Sequence, residues 1–152
     1  MPASQTPNAG TERFLKFLLY FGFLASGVVT VLIGQVLPIL SDRLMLDDTQ
    51  AGYFFIAQFS GSLAGTLLMQ PVVRRFGFGS ATALGFAAMM LGVLGLNFDS
   101  PHLCLAAFAV NGFGIGVTLP SINMLTVELN PLNITRALNF LNFFWGVGAI
   151  LC

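Results

Sequence analysis

Charge in this chain is confined to short breaks between long apolar runs, and that spacing limits what the chain can fold into. It holds six Lys and Arg and six Asp and Glu in 152 residues. A run of about 20 apolar residues matches the roughly 30 Å hydrocarbon core of a bilayer at about 1.5 Å of helical rise per residue. Such runs extend from Phe17 to Leu40, Ala51 to Val73, Phe78 to Leu96 and His102 to Val127, and a fifth runs from Ala137 to the chain end at Cys152. None contains Asp, Glu, Lys or Arg. The pattern predicts an all-α membrane protein, a multi-span helical bundle.

Composition excludes most soluble alternatives. Hydrophobic residues make up 56% and charged residues 8%, with a mean hydropathy of +0.86, whereas a globular domain carries roughly 25% charged residues. Net charge is zero and no basic patch suggests a nucleic-acid partner. Cys104 and Cys152 lack CxxC spacing and read as small buried hydrophobes rather than a disulfide or metal site. There is no phosphate-loop GK[ST], no HExxH, and no Ser, His and acid set able to meet inside a bilayer. The expectation is no enzyme, no catalytic residues, no metal and no cofactor. His102 reads as a solvated residue at a helix boundary.

Loop charges predict orientation. With the amino terminus inside, Arg13, Lys16, Arg74, Arg75 and Arg136 are cytoplasmic and Arg43 is external, which satisfies the positive-inside rule. Residues 1–12 are small, polar and Pro-bearing, and read as a disordered cytoplasmic arm. Arg13 to Gly27 imitates a signal peptide, but the apolar run continues past Gly27 to spanning length. The Asn133-Ile134-Thr135 sequon is expected to be silent because it lies in an inner loop. Asp47-Asp48-Thr49 is placed to cap the second span, while Pro71, Gly77, Gly79 and Asp99-Ser100-Pro101 punctuate the later turns. No loop can hold a soluble catalytic domain.

Within the spans, small residues predict close packing. Gly61 to Gly65 and Gly112 to Gly116 are GxxxG spacings that set both glycines on one helix face. Buried polar residues need a partner or a water-filled cavity. Asn111 sits about 13 Å into the fourth span, and Thr118 lies seven residues on along nearly the same face. Gln35 is near the outer end of the first span and Gln58 in the outer half of the second, while Asn139 and Asn142 share a face of the fifth. Each amide either joins helices by a bond worth around 1 kcal/mol or lines a cavity. Together the set predicts a cavity, with these six residues as candidate solute contacts. The third span offers only Ser80 and Thr82. It is expected to face lipid around Met89, Met90 and Val93, leaving the first, second, fourth and fifth spans in mutual contact.

The order of segments resembles the amino-terminal half of a major facilitator superfamily transporter. The resemblance rests on Gly34-Gln35-Val36-Leu37-Pro38 closing the first span, Val73-Arg74-Arg75-Phe76-Gly77 after the second, Gly112-x-Gly114-x-Gly116 and Pro120 in the fourth, and Arg136-Ala137-Leu138-Asn139 opening the fifth. The stretch from Leu119 to Ile150, with Asn123, Thr126, Leu129 and Gly148-Ala149-Ile150, looks most like the fucose permease and sodium/glucose branch.

The resemblance implies a partial amino-terminal half of a twelve-helix fold, with about four full helices and a truncated fifth. Such a chain would be a multi-pass protein of the plasma or inner membrane, moving a small polar solute such as a sugar by alternating access. Of the family's GxLaDrxGrr loop motif, Arg75 and Gly77 remain, with Arg74 at the acid position. Relatives carry coupling acids in the first and fourth helices, where this chain has Gln35 and Asn111. An amide exchanges no proton near neutral pH, so uniport, exchange, or symport through residues elsewhere all remain open. The expected partners are lipid, solute, and either the remaining helices of a full-length transporter or a second copy, and the fragment alone is expected to be inactive. The alternatives are a homodimeric four-helix carrier and a non-transporting membrane scaffold.

Overall fold

A computed structural model describes residues 9–152, with side chains from residue 15 onward. The described residues form four helices, α1 (Ala9–Leu44), α2 (Asp48–Gly95), α3 (Pro101–Leu129) and α4 (Ile134–Leu151). Each is long and apolar enough to cross a membrane, as the charge spacing predicts. Asp47 caps α2 as expected: its carboxylate accepts the Gln50 N–H at 2.7 Å, and the Gln50 side chain accepts the Asp47 N–H at 3.1 Å, a reciprocal capping box. Pro101 occupies the first turn of α3, where its missing N–H costs nothing.

A straight α2 of 48 residues would be about 72 Å long, more than twice the thickness of the hydrocarbon core. It is not straight. Gly77 adopts φ 81° and ψ 166°, a conformation open essentially to glycine alone, and divides α2 into two arms. Their directions follow from what each touches on α3. A Cβ on Gly112 would overlap the Gln58 carbonyl and one on Gly116 would overlap the Ser62 carbonyl, so the first arm runs parallel to α3. Gly85 lies against Gly114 and Thr118, and Gly92 against Ala107 and Asn111, so the second arm runs antiparallel. The second and third spans read from the sequence are thus the two arms of one folded-back helix, with α3 packed along both. Helices α1 and α4 form a second, parallel pair: Tyr20 meets Phe140 and Phe144 near their starts, and Gly27 meets Trp145 and Ala149 further along both.

The end of the bundle where α1 and α4 begin holds the Gly77 bend and the last turn of α3, and is called the near end. The opposite, far end is tied by Arg43. Its Nη2 donates to the Leu96 and Phe98 carbonyls at 2.6 and 2.8 Å, joining the last turn of α1 to the orphan carbonyls that end α2. Beneath it, Ile33, Leu37 and Leu40 pack with Phe54 and Phe108, whose rings meet edge to face at 5.0 Å.

Three expectations need correction. The third span does not face lipid on most sides. Met90 is 65% exposed but Met89 only 2%, and Ala81, Gly85, Ala88, Gly92 and Gly95 form a buried stripe of small residues against α3. Its lack of polar side chains was the wrong guide, because van der Waals contact between small residues is what joins helices in lipid. Next, the second and fifth spans do not touch: among the described residues no contact joins α2 to α4, since α3 and α1 lie between them. Finally, α1 begins at Ala9, within the segment read as a disordered arm, and residues 1–8 of that arm lie outside the described residues.

Candidate functional site

The deepest polar groups sit where the helices are closest. Asn111 and Thr118 are fully buried on the face of α3 turned to the second arm. Asn111 Nδ2 donates to the Met89 carbonyl at 3.2 Å. Gly92 makes room for this, because a Cβ there would crowd Asn111. Thr118 stands against Gly85 in the same way, its hydroxyl without a hydrogen-bond partner among the described residues. On the other face of α3, the Thr66 hydroxyl reaches the Ser62 carbonyl at 2.9 Å and the Gly116 carbonyl at 3.3 Å. The GxxxG pairs carry this packing: Gly61, Gly65, Gly112 and Gly116 each let a backbone carbonyl of the opposite helix approach where a Cβ would collide.

The remaining candidates lie on open surfaces. Gln35 is exposed on α1, and Gln58 is half-buried on the first arm with its carbonyl against Gly112. Asn139 and Asn142 are both exposed on α4 but border different clefts. Arg74, Arg75 and Gly77 are exposed at the bend, with the Arg75 guanidinium 5.5 Å from the centre of the Phe76 ring. The structure therefore brings together Asn111 and Thr118, which share the interface with the second arm, and leaves the other four amides on separate faces.

One open cleft does gather polar groups. It has a volume of about 610 Å3 and lies between α3 and α4, lined by Phe78, Asn123, Met124, Val127, Glu128, Leu138 and Asn142. Leu138 and Asn142 line it because residues four apart share a helix face. The Asn142 Nδ2 is committed to the Leu138 carbonyl at 2.9 Å, which leaves its Oδ1 as an acceptor. Glu128 and Asn123 have no hydrogen-bond or ion-pair partner among the described residues. The cleft thus offers a carboxylate, an amide oxygen and one uncommitted amide.

Sequence reasoning missed Glu128 and Asn123 as site residues. Glu128 lies one residue beyond the uncharged run from His102 to Val127, but α3 continues through it to Leu129. Asn123 entered only through the resemblance. Their five-residue spacing gives no shared-face signal, since helical neighbours are three or four apart; the turn of α4 across the cleft brings them to one opening.

The cysteines are free thiols, Cys104 buried and Cys152 partly so, and no group of three or more metal-ligating side chains occurs among the described residues. No curated protein and no solved structure matches the chain. The family model of the Major Facilitator Superfamily matches residues 19–152, nearly the whole length, so the chain belongs to the Major Facilitator Superfamily, a family of small-solute transporters.

Proposed function

We propose that this bundle forms one wall of a transport pathway for a small polar solute, and that the solute is held in the cleft between α3 and α4 by Asn123, Glu128 and Asn142. The observation that carries this reading is the cleft's chemistry: uncommitted polar groups opening from a helical bundle whose other open grooves include a nearly wholly apolar one along α1. A polar side chain at membrane depth is retained where it faces protein or a water-filled path rather than lipid. Acceptors outnumber donors in the cleft, which favours a solute rich in hydroxyl or amino groups, a sugar or polyol among them. Asn111 and Thr118 hold the helices together, and Gln35 and Gln58 lie outside this cleft.

Transport then proceeds by alternating access, with this wall rocking against an opposing one made by further helices or by a second copy. The amino terminus lies on the cytoplasmic side, by the distribution of Arg and Lys. The bundle alone leaves the cleft open on one side, so by itself it carries no solute across.

The test is a thermal-stability screen of the purified chain against hexoses, polyols and amino acids. A ligand that binds the folded state raises the melting temperature in a concentration-dependent way. At least one hydroxyl- or amine-rich solute should do so, and Asn123→Leu and Asn142→Leu should abolish the shift without lowering the ligand-free melting temperature. A shift that survives in both variants would move the site elsewhere. Saturable uptake into liposomes by the chain alone would show that a second copy supplies the opposing wall.

A further inference from the structure

At the near end a second cleft, about 320 Å3 in volume, opens where α1, α4 and the α3–α4 turn meet, lined by Tyr20, Asn130, Asn133, Arg136, Ala137 and Phe140. It lies on the opposite side of α4 from the solute cleft and shares no lining residue with it. Arg136 brings the positive charge, and no carboxylate lies within ion-pair reach of it among the described residues. Glu128, the acid nearest in sequence, lines the other cleft instead.

The charged group here is a donor, the Arg136 guanidinium. The Asn133 side chain makes no cap on α4 and has no hydrogen-bond partner among the described residues, while Asn130, its Nδ2 committed to the Thr126 carbonyl at 2.9 Å, is left with an acceptor oxygen. Tyr20 is held by its ring, edge to face on Phe140 at 5.3 Å and stacked on Phe144 at 5.4 Å. Its hydroxyl has no hydrogen-bond partner among the described residues. A guanidinium, a phenol and an amide on one rim, with an aromatic floor, make a site for a planar or tetrahedral oxyanion rather than a neutral solute.

Depth selects among anions. Leu129 ends α3 and Ile134 begins α4, so the cleft lies at the boundary between hydrocarbon and headgroups. That is the level of lipid phosphates, and basic pockets between helices there take phosphate headgroups. We propose that Tyr20, Asn133 and Arg136 form a binding site for a phosphate group, that of an anionic lipid headgroup or of a free phosphate. The site rests on its own geometry and is independent of the transport reading.

The test places the chain in nanodiscs of phosphatidylcholine with and without phosphatidylglycerol and measures retained lipid by native mass spectrometry. The chain should retain phosphatidylglycerol in preference to phosphatidylcholine. Arg136→Gln should lower that retention about tenfold, and Tyr20→Phe about threefold, as expected for losing a charge-assisted and a neutral hydrogen bond. Arg136→Lys should restore part of it. Arg74→Gln removes the same charge at the same end but outside the cleft, and should retain the lipid fully. Displacement by millimolar inorganic phosphate would support the site with a free anion as its ligand. Resistance to displacement, alongside the Arg136 dependence, would support it with the lipid headgroup. Equal retention of phosphatidylglycerol by wild type, Arg136→Gln and Arg74→Gln would overturn the proposal.

Discussion

The α2–α3 interface and the α1–α4 interface are both helix packings in lipid, yet they are built in different ways. Along α3, glycines meet carbonyls from Gly112 to Gly116 on one side, and Gly85, Gly92 and Gly95 meet α3 on the other. Among the described residues, the pair α1–α4 has glycine contacts further from the near end, at Gly27 and Gly148, whereas toward the near end the rings of Tyr20, Phe140 and Phe144 stand between the helices. Small residues let backbones approach and leave no gap. Rings hold them apart, and the space around the rings becomes clefts whose rims carry Arg136, Asn133 and Asn139. The first interface is suited to a rigid wall, and the second to binding surfaces.

The sharpest way to break this comparison is to put a side chain where a glycine meets a carbonyl. Gly116→Leu would drive its side chain into the Ser62 carbonyl, and should cost about 4 kcal/mol or more, seen as loss of monodisperse protein in detergent. Gly146→Leu on α4, where nothing lies within 4 Å of a Cβ, should leave yield and melting temperature unchanged. Equal damage from both would mean that contact with the opposite helix is not what makes Gly116 intolerant of a side chain.

Polar groups allow a finer separation. Asn111→Ala removes the bond to the Met89 carbonyl and opens a small void, and should cost about 1–2 kcal/mol in thermal unfolding while leaving solute-induced shifts intact. Asn142→Leu should do the reverse, losing the solute effect at no cost in stability. Solute shifts lost with Asn111→Ala would return that residue to the pathway.

Arg43 tests how firmly the first helix is tied to the wall. Arg43→Met should lower stability by about 1–2 kcal/mol, because two carbonyls at a helix end lose a charged donor. Asp99→Asn should change almost nothing: its ion pair with Arg43 is 3.8 Å long and its side chain is 89% exposed. Similar losses in both would give the ion pair a weight that solvent should deny it.

The smallest perturbation concerns which rim faces out. In a cysteine-free background, Asp48→Cys at the far end should react with an impermeant thiol reagent added outside, and Arg75→Cys at the near end should not. The opposite labelling would put both polar clefts at the outer surface without altering either interface.

Much of the architecture was legible in the charge spacing. The five uncharged runs lie in four helices long and apolar enough to cross a membrane, two of them in the arms of α2, because the cost of charge in hydrocarbon is local and can be read residue by residue. The Asp47 cap was legible for the same reason, since a capping box spans only four positions. The close-packing glycines were legible as spacing, but not the surfaces they would meet. The third span shows the limit. Its Ala and Gly residues looked like lipid-facing filler until α3 was in place, and Met89 and Met90, adjacent and identical, were separated into buried and exposed by helical geometry against that partner.

The site was less legible. Five amides and Thr118 were identified by type and depth, but depth does not say whether a side chain points into a neighbour or a cleft. Asn111 and Asn142 differ only in that respect, and the neighbour across the gap decides it. By itself the sequence determined which segments enter the membrane, where they turn and which positions are small enough for contact, because these depend on hydropathy and local backbone chemistry. Only the tertiary structure decided that α3 lies between the two arms of α2, that Asn111 is sealed, and that Glu128 joins Asn123 and Asn142 around one opening. Those outcomes depend on which faces meet, and that choice is made by contacts between residues distant in the chain.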